Sequence, residues 1–285
     1  MRRMVGSYWE QVLADDMAVP TDRPLGDLTE ELTAMLGDTD PARRDGTAFP
    51  TLATWVSRGV YDDLLPGLGD GMAAGLLVGL GSSDDDQVFR RSFSALVLGV
   101  CISRDNERPL VPGGKILEWG DRLATWLLRE QDARGFVPGK GWAHALAHGA
   151  DALGTLARSP HLSTPELTVI LDVVADRVLA PADRAWSSGE PDRLAKTVME
   201  VLRRGLVPMT VVEPWVNRVV AAATHGPGPD DDDPYRRSAN PEAFLRALYL
   251  QLAIGPRPPA VRSDLLLVLV EGLRRTTPAT LSPIA

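Results

Sequence analysis

The chain has 285 residues, with 30 Lys or Arg against 38 Asp or Glu for a net charge of −8, and it is 44% hydrophobic and 24% charged. A globular chain of this length buries a large core without disulfides or metals, and the single cysteine, Cys101, excludes an internal disulfide. The acidic balance argues against a broad nucleic-acid surface. The longest uncharged apolar stretch, Gly71 to Gly81, falls far short of the roughly 20 residues of a membrane span. Met1-Arg2-Arg3 is followed by Tyr8-Trp9-Glu10 and Asp15-Asp16 instead of an apolar signal segment, so no membrane contact is expected and the cytoplasm is the default compartment.

Apolar residues recur at helical spacing in segment after segment, and clean alternation over five residues is almost absent, so the expected class is all-α. The spacing predicts helices over 7–18, 27–36, 41–57, 60–80, 85–103, 115–131, 140–158, 164–179, 191–205, 209–224, 240–254 and 258–275. Asp40 before Pro41, Ser163-Thr164 before Pro165-Glu166, and Asn240 before Pro241-Glu242 each place a side-chain acceptor at an N-cap, with a proline where its missing N–H costs nothing. Gly37, Gly59 and Gly205 sit where a helix end enters the left-handed region. A helix pair takes about 45 residues, within the range of armadillo and HEAT units. The architecture expected is a single all-helical domain over 1–285, with paired antiparallel helices in an irregular HEAT/armadillo-like curved stack (an α-solenoid). With no exact internal repeat, a globular helical bundle or a closed α/α ring stays open. Residues 225–238, where Gly226-Pro227-Gly228-Pro229 meets Asp230 to Asp233 and Pro234, read as an acidic mobile loop.

The segment that carries chemistry is Gly135-Phe136-Val137-Pro138-Gly139-Lys140-Gly141-Trp142-Ala143-His144-Ala145-Leu146-Ala147-His148-Gly149-Ala150-Asp151. Read as one helix at about 100° per residue, it puts His144, His148 and Asp151 within about 60° of one another and Trp142 and Leu146 on the opposite side, with small alanines between. Asp151, one turn from His148, is placed to orient its ring for acid/base work. His at i and i+4 with Asp at i+7 would also suit a metal, but no Glu follows His144 and no further ligand is in reach, so neither metal nor cofactor is expected. Against both stands a purely structural role, with the imidazoles satisfied between helices. Lys140 lies near the start of this helix, and Arg91, Arg134, Arg193 and Arg246 each lie beside an apolar stripe; for any one arginine, a simple ion pair is the plainer account. Cys101, in Val97-Leu98-Gly99-Val100-Cys101-Ile102, reads as a small core residue.

Phe89-Arg90-Arg91-Ser92-Phe93-Ser94-Ala95-Leu96, the Gly-Lys-Gly-Trp-Ala-His string with His148 and Asp151, Arg193-Leu194-Ala195 and Phe244-Leu245-Arg246-Ala247-Leu248-Tyr249 together resemble the ordered motifs of the bacterial DUF2785 family. The resemblance implies a helical-repeat-like fold and brings no activity with it; the acidic loop matches none of its motifs. It also implies that Arg91, Arg134, Lys140, Trp142, His144, His148, Asp151, Arg193 and Arg246 fit one recurring pattern, which favours a pocket over a satisfied core. The expectation is therefore a concave pocket in which His144, His148 and Asp151 bind a small polar or anionic ligand, either with its transformation by acid/base chemistry or by binding without chemistry, and with Arg91, Arg134, Lys140, Trp142, Arg193 and Arg246 as further ligand contacts. The alternative is a HEAT-like scaffold that takes a protein or peptide in the groove without catalysis. A nucleic-acid reader stands third.

Overall fold

The computed structural model describes residues 8–224, 233 and 235–281. Among them the chain is mostly helical, with a single two-stranded sheet. The opening helices are α1 (Tyr8–Ala14) and α2 (Leu25–Met35). The segment read as one helix over 41–57 is interrupted. Asp40 caps α3 (Pro41–Arg43) by accepting from Ala42 N at 2.9 Å; a π turn over Arg44–Ala48 follows, then α4 (Phe49–Ser57). The helix expected over 60–80 shrinks to α5 (Leu65–Gly75), because Pro66 fixes its start and the chain turns through left-handed Gly79 and Gly81 at its end. After it come α6 (Gln87–Glu107) and α7 (Gly113–Arg129).

The helix expected from 140 begins only at Ala145. Before it, β1 (Phe136–Val137) and β2 (Gly141–Trp142) form an antiparallel hairpin with Phe136 opposite Trp142 and Val137 opposite Gly141. Gly139 and Gly141 take φ of 75° and 81°, and His144 itself sits at φ 50°, so three left-handed residues forbid a helix through this stretch. The helical-wheel placement of Trp142 opposite the histidines is therefore wrong: Trp142 stands on a strand.

Helix α8 (Ala145–Ala157) is followed by α9 (Thr164–Leu179), whose Ser163 and Glu166 form the reciprocal capping box, then α10 (Glu190–Arg203), α11 (Met209–Ala223), α12 (Ala239–Ile254), α13 (Arg262–Thr276) and α14 (Pro278–Leu281). Gly59 and Gly205 do enter the left-handed region; Gly37 does not, and its lack of a side chain instead admits Arg90. Asn240 is not the cap of α12, which starts one residue earlier, and its Oδ1 accepts from Trp186 N at 2.8 Å. Of the acidic loop at 225–238, residues 225–232 and 234 lie outside the described residues.

Alternate helices are neighbours. The series α4, α6, α8, α10, α12 packs each member on the next, and so does the series α5, α7, α9, α11, α13. One hydrophobic cluster runs from Trp9 to Leu273. Cys101 lies buried in it, and burial pushes its thiol up to about 12. Helix α8 lies between α6 and α10, and only His148, Asp151 and Thr155 of its residues escape full burial. Its small residues permit this: a Cβ on Gly99 of α6 would meet Ala152 Cα at 3.2 Å. No helix among the described residues is long and apolar enough to cross a membrane.

Candidate functional site

The hairpin is held from a distance by Arg44, in the π turn. Its fully buried guanidinium lies 4.1 Å from the Phe89 ring centroid and 5.0 Å from that of Phe93, and donates to Asp38 O and Lys140 O, both at 2.7 Å. Asp45 pairs with it at 2.7 Å. Burial pushes the Asp45 carboxyl up and is opposed by the Arg44 charge and, more weakly, by His144. Beyond β2 the ladder continues with Ala143 N donating to Gly135 O at 2.8 Å and His144 N to Arg134 O at 3.1 Å. His144 then turns left-handed and its carbonyl accepts from His148 N at 2.9 Å, the first turn of α8.

Rings line up from solvent to core. Phe136 meets Trp142 edge-on at 5.1 Å, Trp142 stacks on His144 at 4.3 Å and 23°, His144 meets His148 edge-on at 5.7 Å, and His148 meets Phe93 edge-on at 5.2 Å. The exposed end is Phe136 and Trp142, at 57% and 43% exposure.

The hydrogen bonds fix both tautomers. His144 Nε2 faces Ser188 O at 3.1 Å, and a carbonyl only accepts, so Nε2 carries the proton and Nδ1 the lone pair. The Ser92 hydroxyl donates to Ala143 O, so it accepts from His148 Nδ1 at 2.7 Å and leaves Nε2 as the unprotonated nitrogen of that ring. Burial pushes His148 down to about 3, helped by the neighbouring His144 and the Arg193 and Arg44 charges. His144 also lies below its ordinary value, chiefly through burial, with Glu190 and the Ser188 carbonyl opposing. Both imidazoles are thus neutral at neutral pH.

The structure brings His144, His148, Trp142, Asp151 and Arg193 into one neighbourhood. Asp151 does not touch the imidazoles: it pairs with Arg193, with Lys196 Nζ at 3.6 Å, and lines a small notch of 40 Å³ between α8 and α10. Ser92 orients His148. The other four basic residues are spent elsewhere. Arg91 is fully buried, donating to Glu130 through Nε at 2.6 Å and Nη2 at 2.9 Å and to Val78 O and Gly79 O, while Trp126 Nε1 also donates to Glu130 at 3.0 Å. Arg134 clasps Asp132 and donates to Asp85 O at 2.6 Å. Lys140 Nζ holds Asp86 at 2.7 Å on both oxygens. Arg246 pairs one turn away with Glu242 at 2.7 Å and reaches Thr277 Oγ1 at 3.3 Å.

Sequence reasoning passed over Arg44, Asp45, Ser92 and Ser188. Ser92 lies inside the Phe89–Leu96 motif and was within reach; nothing in the sequence marks the other three. Ser188 and Phe136 also line a cleft of 290 Å³ with Arg134, Arg184, Trp186 and Glu190. No group of three or more His, Cys, Asp or Glu side chains among the described residues is spaced to hold a metal ion.

A family model described as "Protein of unknown function (DUF2785)" matches residues 76–250. No curated protein and no solved structure matches the chain.

Proposed function

Starting from the premise that the chain belongs to the DUF2785 family, which brings no activity with it, we propose that it is a ligand-binding protein whose site is the corner formed by the hairpin and the start of α8. The observation that carries this reading is the pair of neutral imidazoles with tautomers set by Ser188 and Ser92. Each presents a lone pair, at His144 Nδ1 and His148 Nε2, to which no described group donates. Neither nitrogen is among the buried side-chain atoms left without a partner, so both lone pairs stay open to the surroundings, and the corner suits a small polar molecule that donates hydrogen bonds. An anion gains nothing from uncharged imidazoles.

Binding fits better than catalysis at His148. A base whose conjugate acid has a pKa near 3 is far from the operating pH at which proton transfer is efficient. Asp151, held by Arg193 and Lys196, contributes charge balance at the rim. On this reading the two series of alternate helices stack as a curved solenoid of the HEAT type, with α8 in the inner row. The exposed Phe136 and Trp142 favour a second reading, a scaffold that docks a protein or peptide on the hairpin.

The test is mass spectrometry of small molecules released from the natively purified protein, compared with His144→Asn. Asparagine tolerates the left-handed backbone at this position and removes the ring. A molecule released by the wild type and absent from a variant with the same melting temperature supports the reading. The same molecules from both proteins, or none from either, overturns it.

A further inference from the structure

The cleft of 290 Å³ beside the histidine corner lies between β1 and the segment leading into α10. Two of its lining residues are arginines, and both are matched: Arg134 clasps Asp132 at 2.6 Å, and Arg184 stands 3.6 Å from Asp84. The third charged lining residue is not matched. Glu190, in the first turn of α10, is only 2% exposed and pairs with no cation among the described residues. Arg134 and Arg184 against Asp84, Asp132 and Glu190 leave the cleft with one negative charge in excess.

One oxygen of Glu190 is left open to the cleft. Its Oε2 accepts from Ser188 N at 2.8 Å, whereas Oε1 takes no hydrogen bond from the described residues and is not sealed from the surroundings. Oε1 lies beside Gly135, another lining residue: a Cβ there would stand 3.4 Å from it and 2.1 Å from Ser188 Oγ, so the missing side chain keeps the approach clear. Phe136, next along the chain, lines the same cleft with 57% exposure. A buried carboxylate without a counter-charge is costly, and an aromatic ring attracts cations while giving alkyl groups a surface to lie on. The volume is near the lower limit of small-molecule pockets, so it suits a ligand of a few carbons. The missing partner is therefore a compact cation that carries N–H donors and an alkyl portion.

We propose that this cleft binds a small organic ammonium ion, whose N–H groups donate to Glu190 Oε1 and whose alkyl chain lies on the Phe136 ring. The cleft differs from the histidine corner in what it recognises, a charge here and neutral lone pairs there, although Ser188 borders both through its N–H and its carbonyl. Two variants change the charge without removing packing. Glu190→Gln keeps the shape and an acceptor for Ser188 N, and Arg184→Ala trims a side chain that is 54% exposed.

The experiment is saturation-transfer NMR, with titration, of n-butylammonium, 1-butanol and butyrate against the full chain in an amine-free buffer at neutral pH. Butylammonium should bind, and its neutral and anionic counterparts should bind at least about tenfold more weakly. Glu190→Gln should weaken butylammonium by at least about tenfold, the effect of losing one charge-assisted hydrogen bond, and Arg184→Ala should tighten it by about twofold, the effect of removing a solvated neighbouring cation. No transfer to butylammonium on the wild type overturns the proposal, as does 1-butanol binding equally well or a Glu190→Gln protein with unchanged affinity. Should Glu190→Gln fail to fold, Arg184→Ala decides, since an affinity that stays the same or falls overturns the charge argument. The two readings fail separately. A co-purifying molecule lost in His144→Asn, with no butylammonium binding, keeps the corner and removes the ammonium site. Butylammonium binding that survives His144→Asn, with no co-purifying molecule, does the reverse.

Discussion

His148→Asn should change how stability depends on pH. In the folded protein the ring is half-buried and neutral, pushed down to about 3 from an ordinary value of 6.5. The folded value is the lower one, so below 6.5 the unfolded chain takes up a proton that the folded chain refuses. Stability is therefore full above the unfolded value and is lost progressively as pH falls from 6.5 towards 3. At about pH 5 the unfolded ring is about 1.5 units below its own midpoint, which amounts to about 2 kcal/mol if the folded ring stays neutral. Partial solvent access reduces this to about 1–2 kcal/mol. Asparagine does not titrate, and its amide can still donate to Ser92. Urea unfolding of both proteins at about pH 7 and pH 5 should show the wild type losing about 1–2 kcal/mol more than the variant over that interval. Carboxylate contributions are common to both and cancel. Equal losses in the two proteins would show that His148 takes its proton in the folded state and would refute the neutral-imidazole argument.

Arg91→Met should destabilise by roughly 3–5 kcal/mol, because it strands the buried Glu130 carboxylate, and thermal melts should show the double variant Arg91→Met/Glu130→Leu to be milder than the single. Gly99→Val should cost roughly 1–3 kcal/mol in urea unfolding, since the added carbons run into the Ala152 backbone and α6 cannot withdraw from α8 without opening the core. Arg246→Ala should change stability by less than about 0.5 kcal/mol and leave any ligand affinity unaltered by calorimetry, because its partners Glu242 and Thr277 are on the rim of α12 and α13, at 54% exposure of the arginine side chain.

The parts of the fold that were legible in the sequence are those whose physics is local. The N-cap at Ser163, the proline at Pro165 and the left-handed glycines at Gly59 and Gly205 all act within one turn, and the structure has each where the sequence puts it. The start of α8 was not legible. Helical spacing of apolar residues runs unbroken through 140–145, and nothing in a histidine announces that residue 144 will be left-handed. Reading the stretch as one helix set Trp142 against the histidines, when the hairpin stacks it on His144. Arg44 was out of reach for another reason. Its acceptor is a main-chain carbonyl 96 residues away, and carbonyls carry no side-chain signature. Arg91 shows the opposite difficulty: its motif is distinctive, but the partner that gives it meaning, Glu130, is contributed by the end of another helix.

The clamp of Arg44 on the Lys140 carbonyl joins two stretches of chain with different standing, since the family match begins at residue 76 and the clamp comes from before it. A fragment trimmed to the matched stretch would retain both histidines, Ser92, Ser188 and the whole hairpin sequence. It would nevertheless lose the cation that covers Phe89 and Phe93 and ties down the turn at Lys140. The hairpin would then be held by its two short strands, the main-chain bonds of Ala143 to Gly135 and His144 to Arg134 and the Lys140–Asp86 ion pair, without the guanidinium that binds the Lys140 carbonyl. The residues of that corner thus lie inside the matched stretch, whereas the buried cation that ties down its turn is supplied from outside it.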